Sequence, residues 1–283
     1  MRADGKRLKN VDPMYTVANY IMSERNDAMN MITLDIPVAP LQQYLNQCRK
    51  NGKRLSHMAI LIAAYLRTMA KYPELNRFVV NRKAYTRNEI SVAMVVLKSG
   101  GDHEGTMTKM YFEPTNTVFE VQEIINKFIE ENRRTPENNK TEKLIKVLLS
   151  IPGLCPLGVG LFKWMDKHGL LPKSIIDASP FHNSLCITNL ASIRTNHIYH
   201  HCYNFGTTSV FIAMGNQREV AKRKGDEVVF ERCIPLGVTM DERIASGSYF
   251  ALAFRCMQEY LSNPALLETP PEEVLTDPGL TKA

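Results

Sequence analysis

The run Met240-Asp-Glu-Arg-Ile-Ala-Ser-Gly247, MDERIASG, joins two well-patterned segments. Before it comes the apolar, strand-like VVFERCIPLGV, and after it the helix-like SYFALAFRCMQEYL, with Phe250, Phe254, Met257 and Leu261 on one stripe. Four polar residues, Asp241, Glu242, Arg243 and Ser246, crowd this junction. Ser246 reads as the N-cap of the following helix, because a serine hydroxyl accepts from an otherwise unsatisfied backbone N–H. Asp241, Glu242 and Arg243 have two readings: a salt-bridged turn, or the chemical centre of the protein.

Outward from the junction, strand and helix signals alternate along the whole chain. ITLDIPV from Ile32 alternates like a strand, and APLQQYLNQCRK places Leu41, Tyr44, Leu45 and Cys48 at helical spacing. Ser56 is the expected cap of HMAILIAAYLRTMAKY, whose apolar surface is nearly continuous and so predicts a buried helix, ended by Pro73. FVVNRKAY and EISVAMVVLKS follow as β-rich runs, then the glycine-rich turn GGDHEG and a strand TMTKMYFE. Thr115 or Asn116 is the expected cap of a helix carrying Val118, Val121, Ile124, Ile125, Phe128 and Ile129. SLCITNL, SVFIAMG and EVVFERCIPLGVTM complete the strand signals.

No linker divides these elements, so the chain reads as a basic N-terminal tail (1–12), one mixed α/β domain (12–267) and a polar, proline-rich C-terminal tail (268–283). The domain contains an excursion, 134–180, that opens with the polar loop RRTPENNKTEK. Its apolar part, 144–172, is broken by Lys146, Pro152, Pro156 and three glycines between Leu144 and Met165, so it does not predict a spanning helix. It reads as a helical lid or shallow membrane contact, or, as such segments more often do, as a part folded onto its own assembly.

Composition limits the function classes. Apolar residues make up 44% of the 283, enough for a large core. The formal charge of +6 is scattered except at MRADGKRLKN and REVAKRKGDE, with no basic helix or interleaved aromatics, so nucleic acid is not expected as a partner. Six cysteines without a C-x-x-C pair, and no signal-peptide core, read as free thiols in a reducing cytoplasm.

In order and spacing, KRLSHMAILIAAYLRTMAKYPELN, ISVAMVV, SLCITNL, SVFIAMG and DERIASG resemble the catalytic core of the 2-oxo acid dehydrogenase acyltransferases, which shares its fold with chloramphenicol acetyltransferase. The resemblance runs from about Asp12 to Leu267. It implies an α+β sandwich, a mixed sheet with flanking helices, assembled as a homotrimer whose active site lies between subunits and binds coenzyme A or acyl-CoA as substrate. The family's junction reads D-H-R-x-x-D/N-G or H-H-x-x-x-D-G, and its histidine is the general base; here that position is Glu242. The family hydroxyl that stabilises the oxyanion falls at Thr188, followed by Asn189. Asp241, Arg243 and Ser246 take supporting positions, Ser246 in place of Asp or Asn.

Other departures follow. KSGGDHEGTMTKM replaces the usual G-L-I-V-P run, the excursion is long, and neither a lipoyl domain nor an apolar C-terminal anchor is expected, so a free-standing trimer is favoured over a complex core. A second candidate cluster is NHIYHHCYNF. Four of the seven histidines fall between His182 and His201. His200 or His201 would replace the missing base, and Tyr199, Tyr203 and Phe205 would line the acceptor pocket; H-x-x-H-H-C is no standard zinc spacing, so no metal is expected. The expected function is acyl transfer from a CoA-type thioester to an unidentified acceptor, with a catalytically inactive, ligand- or protein-binding trimer as the alternative.

Overall fold

The computed structural model describes residues 2–97, 105–134, 150 and 153–281. Its centre is α3 (His57–Lys71), in which every residue from Met58 to Ala70 is buried. Ser56 caps it as expected, its Oγ accepting from the Ala59 N–H at 3.1 Å. α3 packs on α4 (Val118–Arg134) and on α7 (Gly247–Ser262), with α2 (Val38–Lys50) beside α7. Together these helices cover one face of a seven-stranded sheet.

The sheet runs β2 (Met29–Pro37), β10 (Glu227–Asp241), β8 (Val210–Met214), β7 (Leu185–Asn189), β5 (Ile90–Leu97) and β6 (Gly105–Phe112), with β9 (Arg218–Lys224) paired to the start of β10. β5, β7 and β8 are mutually parallel and the other pairings antiparallel. Alternation assigns the faces: Leu185, Ile187, Val210, Ile212, Leu236 and Val238 enter the helical core. Cys186, Phe211 and Ala93 form a smaller cluster on the second face.

That second face is crossed by an irregular strap, residues 195–206. It lies down because the sheet beneath it lacks side chains: a methyl at Gly237 would stand 2.1 Å from the Ile198 carbonyl oxygen, and one at Gly215 2.2 Å from the His197 nitrogen. Farther on, the Cys202 N–H points at Met29 Sδ, 3.1 Å away.

Several elements differ from the sequence reading. FVVNRKAY is two strands, β3 (Arg77–Val80) and β4 (Lys83–Arg87), joined by Asn81 and Arg82, both at positive φ (49° and 60°), the two-residue turn that suits strand twist. The two ends read as tails are packed. β1 (Gly5–Arg7) pairs with β4, and the buried Arg2 reaches Asp166 Oδ1 at 2.6 Å. At the other end the buried Asp277 pairs with Arg77 and the Leu275 N–H donates to Ala70 O.

REVAKRKGDE, read only as a basic cluster, contributes β9 and the turn at Gly225. α4 is capped neither by Thr115 nor by Asn116. Thr117 does it in a capping box with Glu120, whose Oε2 accepts from the Thr117 N–H at 2.7 Å. Of the excursion, α5 (Leu154–His168) and α6 (Lys173–Ala178) are described. Most of GGDHEG and of RRTPENNKTEK lies outside the described residues, as do 144–149. α1 (Pro13–Ile21) precedes β2. Among the described residues no helix is long and apolar enough to cross a membrane.

Because two glycines seat the strap, Gly237→Ala is expected to destabilise the protein by about 1–3 kcal/mol, since neither backbone can give way cheaply. Gly160→Ala, in the middle of α5 with nothing within 4 Å of the added methyl, is expected to be neutral or stabilising by about 0.5–1 kcal/mol. Urea denaturation of the two variants checks both.

Candidate functional site

The MDERIASG junction is held by a buried ion cluster. Asp241, with 0% of its surface exposed, ends β10 and accepts from Arg243 Nε at 2.8 Å and Nη2 at 2.7 Å. Arg25 Nε stands 3.3 Å from Oδ2 of the same carboxylate. The remaining Arg25 nitrogens donate to the Tyr203 and Gly206 carbonyls of the strap and to Val79 O of β3. Burial pushes the Arg25 guanidinium below its ordinary pKa, and Asp241 acts against that shift. For Asp241 and Arg243 the salt-bridged turn is thus the structure observed.

Ser246 caps α7, accepting from the Tyr249 N–H at 3.1 Å. Glu242 stands apart from the ion cluster: its N–H donates to Ala28 O, and its half-exposed carboxylate accepts from Asn30 Nδ2 at 2.6 Å.

Thr188 and Asn189 end β7, half-buried. Strand register gives their relation to the junction. Thr188 is level with Ala213, Ala213 with Gly237 and Gly237 with Thr33, a row across the second face whose middle has almost no side chain. Asp241, the last residue of β10, lies four residues beyond Gly237, about 14 Å at strand rise and two strands across from Thr188, with Glu242 in the turn that follows. Thr188 and Glu242 of one chain therefore cannot touch the same reacting atoms.

The strap brings its rings onto this same face. His200 stacks on Phe211 at 4.1 Å between centroids and on His201 at 4.9 Å; Phe211 is level with Cys186, two residues from Thr188. Tyr199 OH meets Thr33 Oγ1 at 2.5 Å. Tyr203 packs edge-on against His201 and Phe181, and Phe205 against His182.

In the row of Thr188 itself the histidine is His197. Its ring lies over Gly237 and its Nε2 is 3.1 Å from Thr33 Oγ1. Burial lowers its pKa, with Arg218 adding to the effect, which keeps a free imidazole nitrogen at neutral pH. The sequence contains that residue in its cluster, but only the glycine beneath it shows where it sits.

No group of three or more His, Cys, Asp or Glu among the described residues is arranged to hold a metal. A groove of about 1140 Å³ lies away from Thr188, between the end of α3, β4, β6 and residues 274–280.

No family model and no curated protein matches the sequence. Solved structures do match. A probable dihydrolipoamide acetyltransferase from Listeria monocytogenes 4b F2365 gives a TM-score of 0.57 at 11% identity, over 90% of this chain and 93% of that one. Chloramphenicol acetyltransferase gives 0.55 at 12%, over 91% and 99%. The chain has the chloramphenicol acetyltransferase fold.

The dihydrolipoamide acetyltransferase of Azotobacter vinelandii shares that fold, with a TM-score of 0.57 at 9% identity over 90% of this chain and 88% of that one. Its structure was solved to examine the roles of a serine, a histidine and an asparagine four residues past the histidine in catalysis.

Removing the anion from the buried cluster while keeping its shape isolates its structural role. Asp241→Asn is expected to cost about 3–5 kcal/mol, because two buried arginines lose their counter-charge, whereas Glu242→Gln changes stability by less than about 0.5 kcal/mol. Chemical denaturation at neutral pH checks the contrast.

Proposed function

We propose that the protein is a homotrimer of the chloramphenicol acetyltransferase fold that takes an acyl group from a CoA-type thioester to a thiol, hydroxyl or amine acceptor in the reducing cytoplasm. The observation that carries this reading is the placement of Thr188. Its hydroxyl-bearing side chain lies on the second face, and Glu242, in the turn after β10, is too far away to serve it within one chain. A second subunit laid on that face would bring the Glu242 end of one chain to the Thr188 of another.

On this reading the acceptor attacks the thioester carbonyl, the Thr188 hydroxyl donates to the oxyanion, and the collapsing intermediate expels the CoA thiolate. A base takes the acceptor's proton. By the resemblance of the MDERIASG junction, Glu242 is read as standing in for the A. vinelandii histidine, and Ser246, four residues on, for its asparagine. A glutamate has an ordinary pKa of about 4.3 against about 6.5 for histidine, so it is the weaker base by roughly two units. His200 and His201 are the other candidates for this proton, with Tyr199, Tyr203 and Phe205 around the acceptor.

Incubation with a panel of acyl-CoAs and acceptors tests the proposal. Free CoA is expected to appear, with the rate about 10²–10³-fold lower in Thr188→Ala on the loss of one oxyanion donor. No release above the Thr188→Ala level contradicts it.

One observation favours a second reading, a trimer that binds its ligand without turnover: the Glu242 carboxylate is already engaged by Asn30. CoA release that Glu242→Gln or His201→Ala abolishes excludes that alternative.

A further inference from the structure

Two helices of the described chain are amphipathic the wrong way round. α1 turns Met14, Val17 and Ile21 outward, Ile21 with 77% of its surface exposed, while the residue on the opposite side of the helix, Asn19, is 1% exposed. α5 does the same: Leu157 (71% exposed), Leu161 and Trp164 form an outward stripe, and the residue opposite them, Asp166, is 5% exposed and engaged by Arg2. In water, helices bury the apolar stripe and expose the polar one. Here each polar inner residue is retained and the apolar stripe is left without cover among the described residues.

Both helices border one basic pocket. Ser23 and Glu24 just past α1, Arg82 at the tip of the β3–β4 turn, and Lys163 and Lys167 of α5 line a cavity of about 440 Å³. Arg82 also lies over the ring of the exposed Tyr20, 5.0 Å from its centroid. Asp241 pairs with both Arg25 and Arg243, leaving one positive charge in the wall, and Asp166 pairs with Arg2. The exposed cations Arg82, Lys163 and Lys167 thus face one exposed carboxylate, Glu24, which already accepts from Asn204.

We propose that this face, the outward stripes of α1 and α5 with the basic pocket between them, docks on an anionic phospholipid surface, a headgroup phosphate entering the pocket. The stripes enter the boundary between headgroups and acyl chains, Trp164 and Tyr20 sit at that boundary, and the three cations meet the phosphates. Charge decides against a second copy of the chain on the same face, because an isologous contact would set one basic pocket against another.

Trp164 is the chain's only tryptophan, so it reports its own insertion. The full chain is titrated with vesicles of phosphatidylcholine mixed with phosphatidylglycerol, and Trp164 emission and co-sedimentation are followed. A blue shift and co-sedimentation are expected with the mixed vesicles, and neither with pure phosphatidylcholine nor with inorganic phosphate.

Lys163→Gln/Lys167→Gln is expected to weaken partitioning roughly 30-fold. Leu157→Ser/Leu161→Ser is expected to abolish the shift while circular dichroism stays unchanged, both side chains being exposed. The proposal is overturned by absence of binding to the mixed vesicles, or by binding that neither double variant weakens. It is equally overturned by the same shift with phosphate alone, which would mark a small-anion site, or by a shift that depends on protein concentration alone, which would mark self-association.

Discussion

The buried carboxylate of Asp241 is the interaction on which this architecture turns. A fully buried charge is tolerable only when it is paired and hydrogen-bonded, and Asp241 has two arginines arranged around it. Through Arg25 the pairing reaches the strap, at the Tyr203 and Gly206 carbonyls, and the small sheet, at Val79. Through Arg243 it reaches the Met22 carbonyl at the end of α1. One charge at the end of β10 thereby ties together four pieces of chain that do not follow one another in sequence.

The second face of the sheet follows from the same arrangement. Its middle row is emptied of side chains at Gly237 and Ala213, the strap is pressed onto the gap, and Thr188 and Thr33 flank it. Around this row Met31, Val95, Tyr111, Ile198 and Tyr199 are exposed, as are Val228 and Phe230 on the projecting β9–β10 hairpin. A face so rich in uncovered apolar groups is a place for association, and the separation of Thr188 from Glu242 gives association a chemical purpose under the acyl-transfer reading.

How much of this the sequence showed depended on the range of the interaction concerned. Ser56 and Ser246 were legible as caps because a cap and its N–H lie three residues apart. The burial of α3 was legible because its apolar residues have no polar face to interrupt them. Thr188 was singled out through resemblance, on a strand whose pattern is local. By contrast Arg2 and Asp166 meet 164 positions apart, so the N-terminus read as a solvated tail. β9 was missed because KRK reads as surface charge, and a strand exposed on both sides has no apolar alternation to reveal it. His197 lay hidden for a similar reason: its position is fixed by the absence of a side chain at Gly237, a contact no pattern in its own segment records.

The acyl-transfer reading rests on one spatial claim, that the site is completed across a subunit boundary. Cross-linking the double variant Thr188→Cys/Glu242→Cys with a short bis-thiol reagent addresses it directly, with each single variant as control, since within one chain Glu242 follows the end of β10, which is itself about 14 Å along the strands from the row of Thr188. Covalent dimers and trimers on a denaturing gel, absent from the single variants, are the result the account predicts. Chains that remain monomeric on that gel would contradict it.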